Sequence, residues 1–281
     1  MPELPEVETI RRGLVPIFRG HALTDISIVD ARLTQPAAPQ PIADDLTGRR
    51  VVELERLGKY LLLMLDNDMV LEHHLRMTGS FGAYAPGSEI THQHVRMTYT
   101  TDDGIRVVYN DPRRFGTLRY EPRDAVMARL ACTLGVEPLS EQFTTQALAQ
   151  LLATSRAPIK AALLNQKLVA GLGNIYVDEA LFLARLHPLS PSNAVPRARI
   201  KSLRDAIVSR LTEAIDVGGS TLRDYRNVAG EIGGMQERFV AYGRGGLPCI
   251  NCERPMRSGK VAGRGTTWCS SCQRQPHTPI S

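Results

Sequence analysis

The chain opens Met1-Pro2-Glu3-Leu4-Pro5-Glu6-Val7-Glu8-Thr9. Proline is small enough for the initiator methionine to be removed, which leaves a secondary amine at the terminus. Such an amine attacking an aldehyde-like carbon gives an iminium ion with no N–H to lose, an electron sink for elimination. Glu3 and Glu6 lie close by in sequence and can shuttle protons. The ordinary reading of the same carboxylates is a first helical turn facing the helix dipole.

Cys249-x-x-Cys252 and Cys269-x-x-Cys272, sixteen residues apart, carry a second chemistry. Each pair can bend a knuckle whose thiolates face one ion, and two knuckles complete a tetrahedral Zn–S₄ site. All four positions are filled, so such a zinc is structural. Two disulfides are the alternative, and knuckle spacing in a cytosolic context favours zinc. Arg257, Lys260 and Arg264 lie between the pairs, and Gly263 and Gly265 beside Arg264 would let that backbone approach a phosphate.

Three further sets are weaker alone. The turn Gly171-Leu172-Gly173-Asn174 before a helix offers backbone N–H groups to an anion, with Arg156 and Lys160 near in sequence. It is equally an ordinary helix–turn–helix corner. Met77, Arg113 and Phe115 stand in glycine-punctuated loops and could wedge apart a base pair, or belong to the core. Lys59 follows Gly58 at a strand start and by itself reads as an exposed lysine.

These residues need elements to hold them. Pro5 to about Val15 reads as a helix, with Val7, Ile10 and Leu14 on one face and Pro16 ending or kinking it. Short strands follow from Leu23 to about Tyr120. They include the apolar run Tyr60–Leu65, the turn Asp66-Asn67-Asp68, Met69–Leu75, and a hairpin joining Val95–Thr100 to Ile105–Tyr109 through Asp102-Asp103-Gly104. Many short strands with turns suggest a sandwich or barrel. The Pro-rich stretch from Gln35 to Pro41 reads as a loop. From about Thr145 the pattern is helical: Leu148, Leu151 and Leu152 mark one helix, Ile159–Val169 a second, and Ile175–Ala184 a third with Asn174 as N-cap. Ile200 to Ile215 mark a fourth, ended by Gly218-Gly219. Asn227 to Gln236 has no periodicity and reads as a mobile loop. Cys132 reads as a small buried residue.

At 281 residues there is room for two or three domains, and 43% hydrophobic with 22% charged residues is ordinary for a soluble protein. There is no apolar run of membrane length and no basic-then-apolar leader, so the expectation is cytoplasmic, without membrane association. The net charge of +5 is unevenly placed. Residues 243–281 hold six basic side chains against Glu253 alone, while residues 1–242 balance at 28 against 28. A cationic module on a neutral body points to a polyanionic partner.

Taken in order, Pro2 to Thr9, Leu57-Gly58-Lys59-Tyr60-Leu61, His74-Leu75-Arg76-Met77-Thr78-Gly79, Asn110-Asp111-Pro112-Arg113-Arg114-Phe115-Gly116, Lys167 to Tyr176 and Val240-Ala241-Tyr242-Gly243-Arg244 lead into the four-cysteine segment. This set resembles the formamidopyrimidine-DNA glycosylases, bacterial bifunctional enzymes for oxidised purines, over nearly the whole chain. The resemblance implies an α+β multidomain fold: an N-terminal two-layer β-sandwich with an N-terminal helix over 1–135, a helix–two-turns–helix domain over 136–242, and a zinc ribbon with a short tail over 243–281. DNA would lie in the cleft between them. By position Pro2 resembles the nucleophile, Glu3 its acid and Glu6 an auxiliary carboxylate. Lys59 matches the lysine of β-elimination, and Arg264 that of δ-elimination and phosphate contact. His74, His92, Arg156, Lys160, Asn174 and Tyr242 would hold the DNA backbone. Met77, Arg113 and Phe115 would replace the extruded base. Residues 227–236 occupy the place of the lesion-capping loop without a firm match.

The implied protein is a base-excision repair glycosylase and apurinic/apyrimidinic lyase. It carries one structural Zn²⁺, acts as a monomer on damaged double-stranded DNA, and works on the nucleoid of a bacterial cytoplasm. One rival is the related endonuclease VIII type for oxidised pyrimidines; Leu4 to Glu8 and the Met77/Arg113/Phe115 set favour the purine enzyme. Another is a non-enzymatic zinc-ribbon nucleic-acid-binding protein, distinguished by whether Met1 is removed and Pro2 becomes reactive.

Overall fold

The computed structural model describes residues 2–221 and 225–275. Met1 lies outside them, and with it the fate of the initiator. The chain divides into two compact units. The first holds residues 1–132 together with Ala214–Gln236, and the second Thr133–Glu213 with Glu237–Ser281. The ribbon is thus part of the second unit, and the segment after the last long helix folds with the first.

The first unit is an α+β sandwich. Helix α1 (Leu4–Phe18) is followed by β1 (Leu23–Ile28), α2 (Pro39–Leu46), β2 (Val51–Leu57), β3 (Tyr60–Leu65), β4 (Met69–His74), β5 (Ser80–Tyr84), β6 (Val95–Thr101), β7 (Arg106–Asn110), β8 (Thr117–Pro122) and α3 (Arg123–Thr133). Two antiparallel four-stranded sheets form, in the orders β1-β6-β7-β5 and β2-β3-β4-β8. Alternation along the strands sends Leu61, Leu63 and Leu65 from one sheet, and Met97, Tyr99, Val107 and Tyr109 from the other, into one core. Val7, Ile10, Leu14 and Phe18 of α1 join that core, as do Tyr225 and Val228.

Several local expectations are corrected here. Pro16 lies inside α1, which runs on to Phe18, and only the last turn follows it. Part of the Pro-rich loop is helix α2, because Pro39 at the first turn needs no N–H partner and Ile42, Ala43 and Leu46 are buried. Cys132 is exposed near the end of α3, whose buried residues are Val126 and Leu130. Residues 227–236 are anchored by buried Val228 and Met235. Within them the Asn227 carboxamide oxygen accepts from the N–H groups of Ala229 and Glu231 at 3.0 and 2.9 Å.

The second unit packs α4 (Thr145–Ala153), α5 (Ile159–Leu164), α6 (Asn174–Leu183) and most of α7 (Arg197–Asp216) with the hairpin β9 (Arg257–Val261) and β10 (Arg264–Trp268). Helix α5 stops at Leu164, short of Val169, which instead bridges to Val136. Gly173, in extended conformation, is the N-cap of α6. Asn174 is the first helical residue, and its side-chain N–H₂ donates to the Gly265 carbonyl at 2.9 Å. Among the described residues, no helix is long and apolar enough to cross a membrane.

Candidate active site and nucleic-acid surface

Pro2, Glu3 and Glu6 are buried together at the start of α1. One Glu6 carboxylate oxygen accepts the Glu3 backbone N–H at 2.8 Å, and the Glu3 side chain accepts the Glu6 N–H in return. This reciprocal cap satisfies two donors that a helix start would otherwise leave open, and it fixes the entry of the chain. The other Glu6 oxygen accepts from the N–H and hydroxyl of Ser220 at 2.8 and 2.9 Å. The Tyr225 hydroxyl donates to the Glu6 carbonyl at 3.3 Å. A side chain on Gly219, at φ +83°, would be strained and crowded, its Cβ 3.1 Å from the Glu6 Cγ. Gly233 presses on the same place, where a Cβ would fall 2.2 Å from the Gly219 carbonyl oxygen. Ser220, Gly219 and Tyr225 carried no sequence signal for this role.

Lys59 is buried, contrary to its reading as an ordinary surface lysine. It follows Gly58, whose φ of +56° turns β2 into β3. The turn is braced from α1: Arg56 donates to the Glu8 carboxylate at 3.3 Å and to the Gly58 carbonyl at 3.0 Å. Burial alone would raise the Glu8 carboxyl. Hydrogen bonds from Arg11 and Arg12, with the charges of Arg11 and Arg56, outweigh burial and bring it down to about 2.

His74 ends β4 with its ring edge-on to Tyr60 at 4.7 Å. Its Nδ1 accepts the Arg76 N–H at 3.1 Å, so Nε2 carries the hydrogen of the neutral ring. Burial first, then the charges of Arg76 and Lys59, push its pKa down to about 3. A neutral N–H donor beside a lysine suits a phosphate oxygen. His92 lies over Gly82, hydrogen-bonded to the Tyr84 hydroxyl.

Met77, Arg113 and Phe115 occupy two loops tied to one carboxylate. Buried Asp111 accepts from the Thr78 hydroxyl at 2.5 Å and the Arg113 N–H at 3.2 Å through one oxygen, and from the Gly116 N–H at 2.8 Å through the other. Phe115 is 52% exposed, with the Arg113 guanidinium 4.7 Å from its ring centroid. Such a stacked cation–aromatic pair is worth about 0.5–1 kcal/mol at an exposed site. Next to it Arg114, at φ +59°, pairs with Asp30 at 2.5 and 2.6 Å. An exposed aromatic on a braced loop can enter a base stack without first being ordered.

In the second unit Lys160 departs most from expectation. It is 0% exposed, and its ammonium donates to Asp178 at 2.6 Å, to the Gly265 carbonyl at 3.0 Å and to the Thr266 hydroxyl at 2.8 Å. A buried charge must be paired, and here it ties α5 and α6 to β10. Lys160 therefore positions the hairpin and does not itself present a charge to a phosphate. Burial raises Asp178 to about 6, against the lowering effect of Lys160. The adjacent buried Glu179 accepts the N–H groups of Val240, Ala241 and Tyr242, the last at 2.8 Å. Two carboxylates side by side in an otherwise apolar helix were a usable sign of buried partners. Tyr242 is half-buried, edge-on to Phe239 at 5.6 Å, and Arg156 is exposed between α4 and α5. Arg264 is exposed at the start of β10, after Ala262 and Gly263 turn the hairpin with φ of +51° and +72°.

The four cysteine sulfurs lie within 4.8 Å of one another, with Cys249–Cys272 at 3.9 Å and Cys252–Cys269 at 3.5 Å. A tetrahedron of Zn–S bonds requires sulfurs about 3.8 Å apart, whereas a disulfide needs about 2.05 Å. Backbone N–H groups of Asn251 and Cys272 point at Cys249 and Cys269 sulfurs at 3.5 and 3.4 Å, which favours thiolate. The site fits zinc and excludes disulfides.

Comparison with known proteins agrees with this geometry. Residues 1–118 match the model of the formamidopyrimidine-DNA glycosylase N-terminal domain, and residues 134–226 that of the same family's H2TH domain. The formamidopyrimidine-DNA glycosylase of Shouchella clausii is 42% identical, covering 98% of this chain and 100% of the relative. That of Bacillus subtilis is 42% identical over 97% and 99%. The crystal structure of the MutM (Fpg) protein of Thermus thermophilus superposes with a TM-score of 0.86 at 42% identity, covering 98% and 99%. That of Lactococcus lactis Fpg with abasic-site DNA gives 0.90 at 37%, covering 97% and 100%. The class is thus a helix–two-turns–helix DNA glycosylase. This chain belongs to the formamidopyrimidine-DNA glycosylase family.

Proposed function

We propose that this chain excises oxidised purines, 8-oxoguanine and formamidopyrimidines, from duplex DNA and cleaves the strand at the resulting abasic site. The carrying observation is the family match along both compact units, with the family's N-terminal run Pro2 to Glu6 intact. A solved relative from Lactococcus lactis is described with Fapy-dG DNA.

In this reading the Pro2 amine bonds to C1′ of the damaged nucleotide as the base departs with its proton. Glu3 assists the sugar to open, giving an iminium. Loss of a C2′ proton, with Lys59 assigned to that step, expels the 3′ phosphate. A second elimination, assigned to Arg264, expels the 5′ phosphate and leaves a one-nucleotide gap. Glu6 holds the N-terminal segment in place for attack. His74, His92, Asn174, Arg156 and Tyr242 contact the DNA backbone, and Met77, Arg113 and Phe115 fill the vacated stack. Zinc, held by Cys249, Cys252, Cys269 and Cys272, supplies folding energy to the ribbon rather than chemistry. The enzyme works as a single chain in the bacterial cytoplasm.

Borohydride reduction on a duplex carrying one 8-oxoguanine tests this. A covalent adduct through Pro2 is expected. Retention of Met1 in the intact mass, or trapping undiminished when Pro2 is deleted, refutes the nucleophile. Faster cleavage of thymine glycol than of 8-oxoguanine moves the chain to the pyrimidine-specific relatives.

A further inference from the structure

The second unit contains a cavity of about 580 Å³ that none of the catalytic or DNA-contact roles above uses. It lies at the C-terminal end of α6, whereas Asn174 stands at the N-terminal end. Ten helical residues separate the ends by about 15 Å. One wall is the loop Arg185 to Ser190, and another runs from Ala194 to Arg199. The knuckle residues Asn251, Ser271, Cys272 and Arg274 close it. The walls are joined beneath by fully buried Gln273, whose side chain donates to the Leu186 carbonyl at 2.8 Å and accepts the Cys269 N–H at 2.8 Å.

The lining mixes cationic, polar and apolar side chains. Arg185, Arg199 and Arg274 bring three guanidinium groups, and no carboxylate lines the cavity among the described residues. None of the three makes an ion pair with a described acidic residue. Arg185 is held at φ +53°, an uncommon conformation for a residue with a side chain. His187, only 6% exposed, accepts the Leu189 N–H on Nδ1 at 3.2 Å, so Nε2 carries the hydrogen. No described protein atom accepts that N–H. Leu186, Val195 and Pro196 add apolar surface to the same two walls. Unneutralised arginines beside a buried ring N–H and a serine hydroxyl recognise a phosphate. The apolar side chains among them call for a flat, poorly solvated group on the same molecule, and the volume falls within the range of small-molecule sites.

We propose that this cavity is a nucleotide site, with Arg185, Arg199 and Arg274 on the phosphates and Val195 and Pro196 against the base. The full-length, zinc-loaded protein is titrated calorimetrically with ADP, adenosine and inorganic pyrophosphate. ADP is expected to bind one-to-one, and adenosine and pyrophosphate each at least about tenfold more weakly. Arg199→Ala and Arg274→Ala each should weaken ADP about tenfold, the loss of one charge-assisted contact, and Arg199→Ala should leave excision of 8-oxoguanine unchanged. Ala194→Trp, at an exposed position on the rim, should block ADP by filling space while all three arginines remain. Absence of ADP binding overturns the proposal. So does pyrophosphate binding as tightly as ADP, which would mark a bare anion site. Displacement of ADP by a short abasic-site duplex overturns it as well, by placing the nucleotide on the DNA surface.

Discussion

Glu8→Gln keeps the size of a buried side chain and removes its charge. In the wild type that carboxylate receives Arg11 at 2.8 and 2.9 Å, Arg12 at 2.9 Å and Arg56 at 3.3 Å. A fall from the ordinary 4.5 to about 2, at about 1.4 kcal/mol per pH unit, corresponds to about 3 kcal/mol at neutral pH. The carboxyl titrates lower in the folded chain than in the unfolded one. Its contribution is therefore complete above pH 4.5 and drains away as pH falls towards 2. Urea unfolding followed by far-UV circular dichroism should show the variant about 3 kcal/mol less stable at pH 7, with the gap closing on acidification. Because Arg56 also holds the Gly58 carbonyl, the variant should release the Lys59 turn as well. Cleavage of a preformed abasic site should then slow more than DNA binding weakens. A stability gap that is absent at pH 7, or unchanged down to pH 3, would refute the network account of Glu8.

Lys160→Met strands Asp178 in the interior and should lower stability by about 3–5 kcal/mol, whereas the double variant with Asp178→Leu should recover most of it; chemical denaturation reads both. Asp111→Ala frees the loops of Met77 and Phe115, so single-turnover excision should slow about tenfold or more, with hydrogen bonds to a charged group at about 1.5–3 kcal/mol each, while circular dichroism stays native. Arg113 offers only hydrogen-bond donors and should read the orphaned base, so excision of 8-oxoguanine is expected to be faster opposite cytosine than adenine, and Arg113→Ala should narrow that ratio. Cys249→Ser should release zinc, measurable by elemental analysis, and weaken DNA binding with the sandwich still folded. Arg264→Ala should flatten the log–log salt dependence of DNA binding by about one unit if its guanidinium meets a phosphate.

What was legible in the sequence is what depends on neighbours in the chain. The run Tyr60–Leu65 is a strand with those bounds because an unbroken apolar stretch between turn residues has few other solutions. The four cysteines announced their site because a knuckle is a local structure. Contacts between distant residues were hidden. Glu6 meets Ser220 across 214 positions, and Lys160 meets Thr266 across 106. No periodicity encodes such a pairing. Glu8 gave no sign of bracing the Lys59 turn because Arg56, which gives it that task, sits on a strand 48 positions away. Lys160 looked like a phosphate ligand because its charge was visible and its partners were not. Asp111 passed as part of a motif, although the hydrogen bonds it accepts from both loops decide where the neighbouring Arg113 and Phe115 stand.

The buried link from Lys160 to Gly265 and Thr266, together with Glu179 under residues 240–242 and Gln273 under Leu186, bears on how this architecture can be altered. A four-cysteine hairpin looks like a detachable cassette, the sort of part that could be grafted, deleted or exchanged between paralogues. Here its removal would strip the Lys160 ammonium of the Gly265 carbonyl and the Thr266 hydroxyl, and the Asp178 carboxylate of the Thr267 N–H, leaving a buried ion pair short of hydrogen bonds inside the helical host. A shortened chain ending before the ribbon should therefore be insoluble rather than merely inactive. Exchange between relatives should succeed only when Lys160, Asp178 and Glu179 travel with the cassette. Inheritance of the ribbon is tied to residues 89 to 106 positions upstream, which makes its loss in a lineage a matter of replacing several interior charges together.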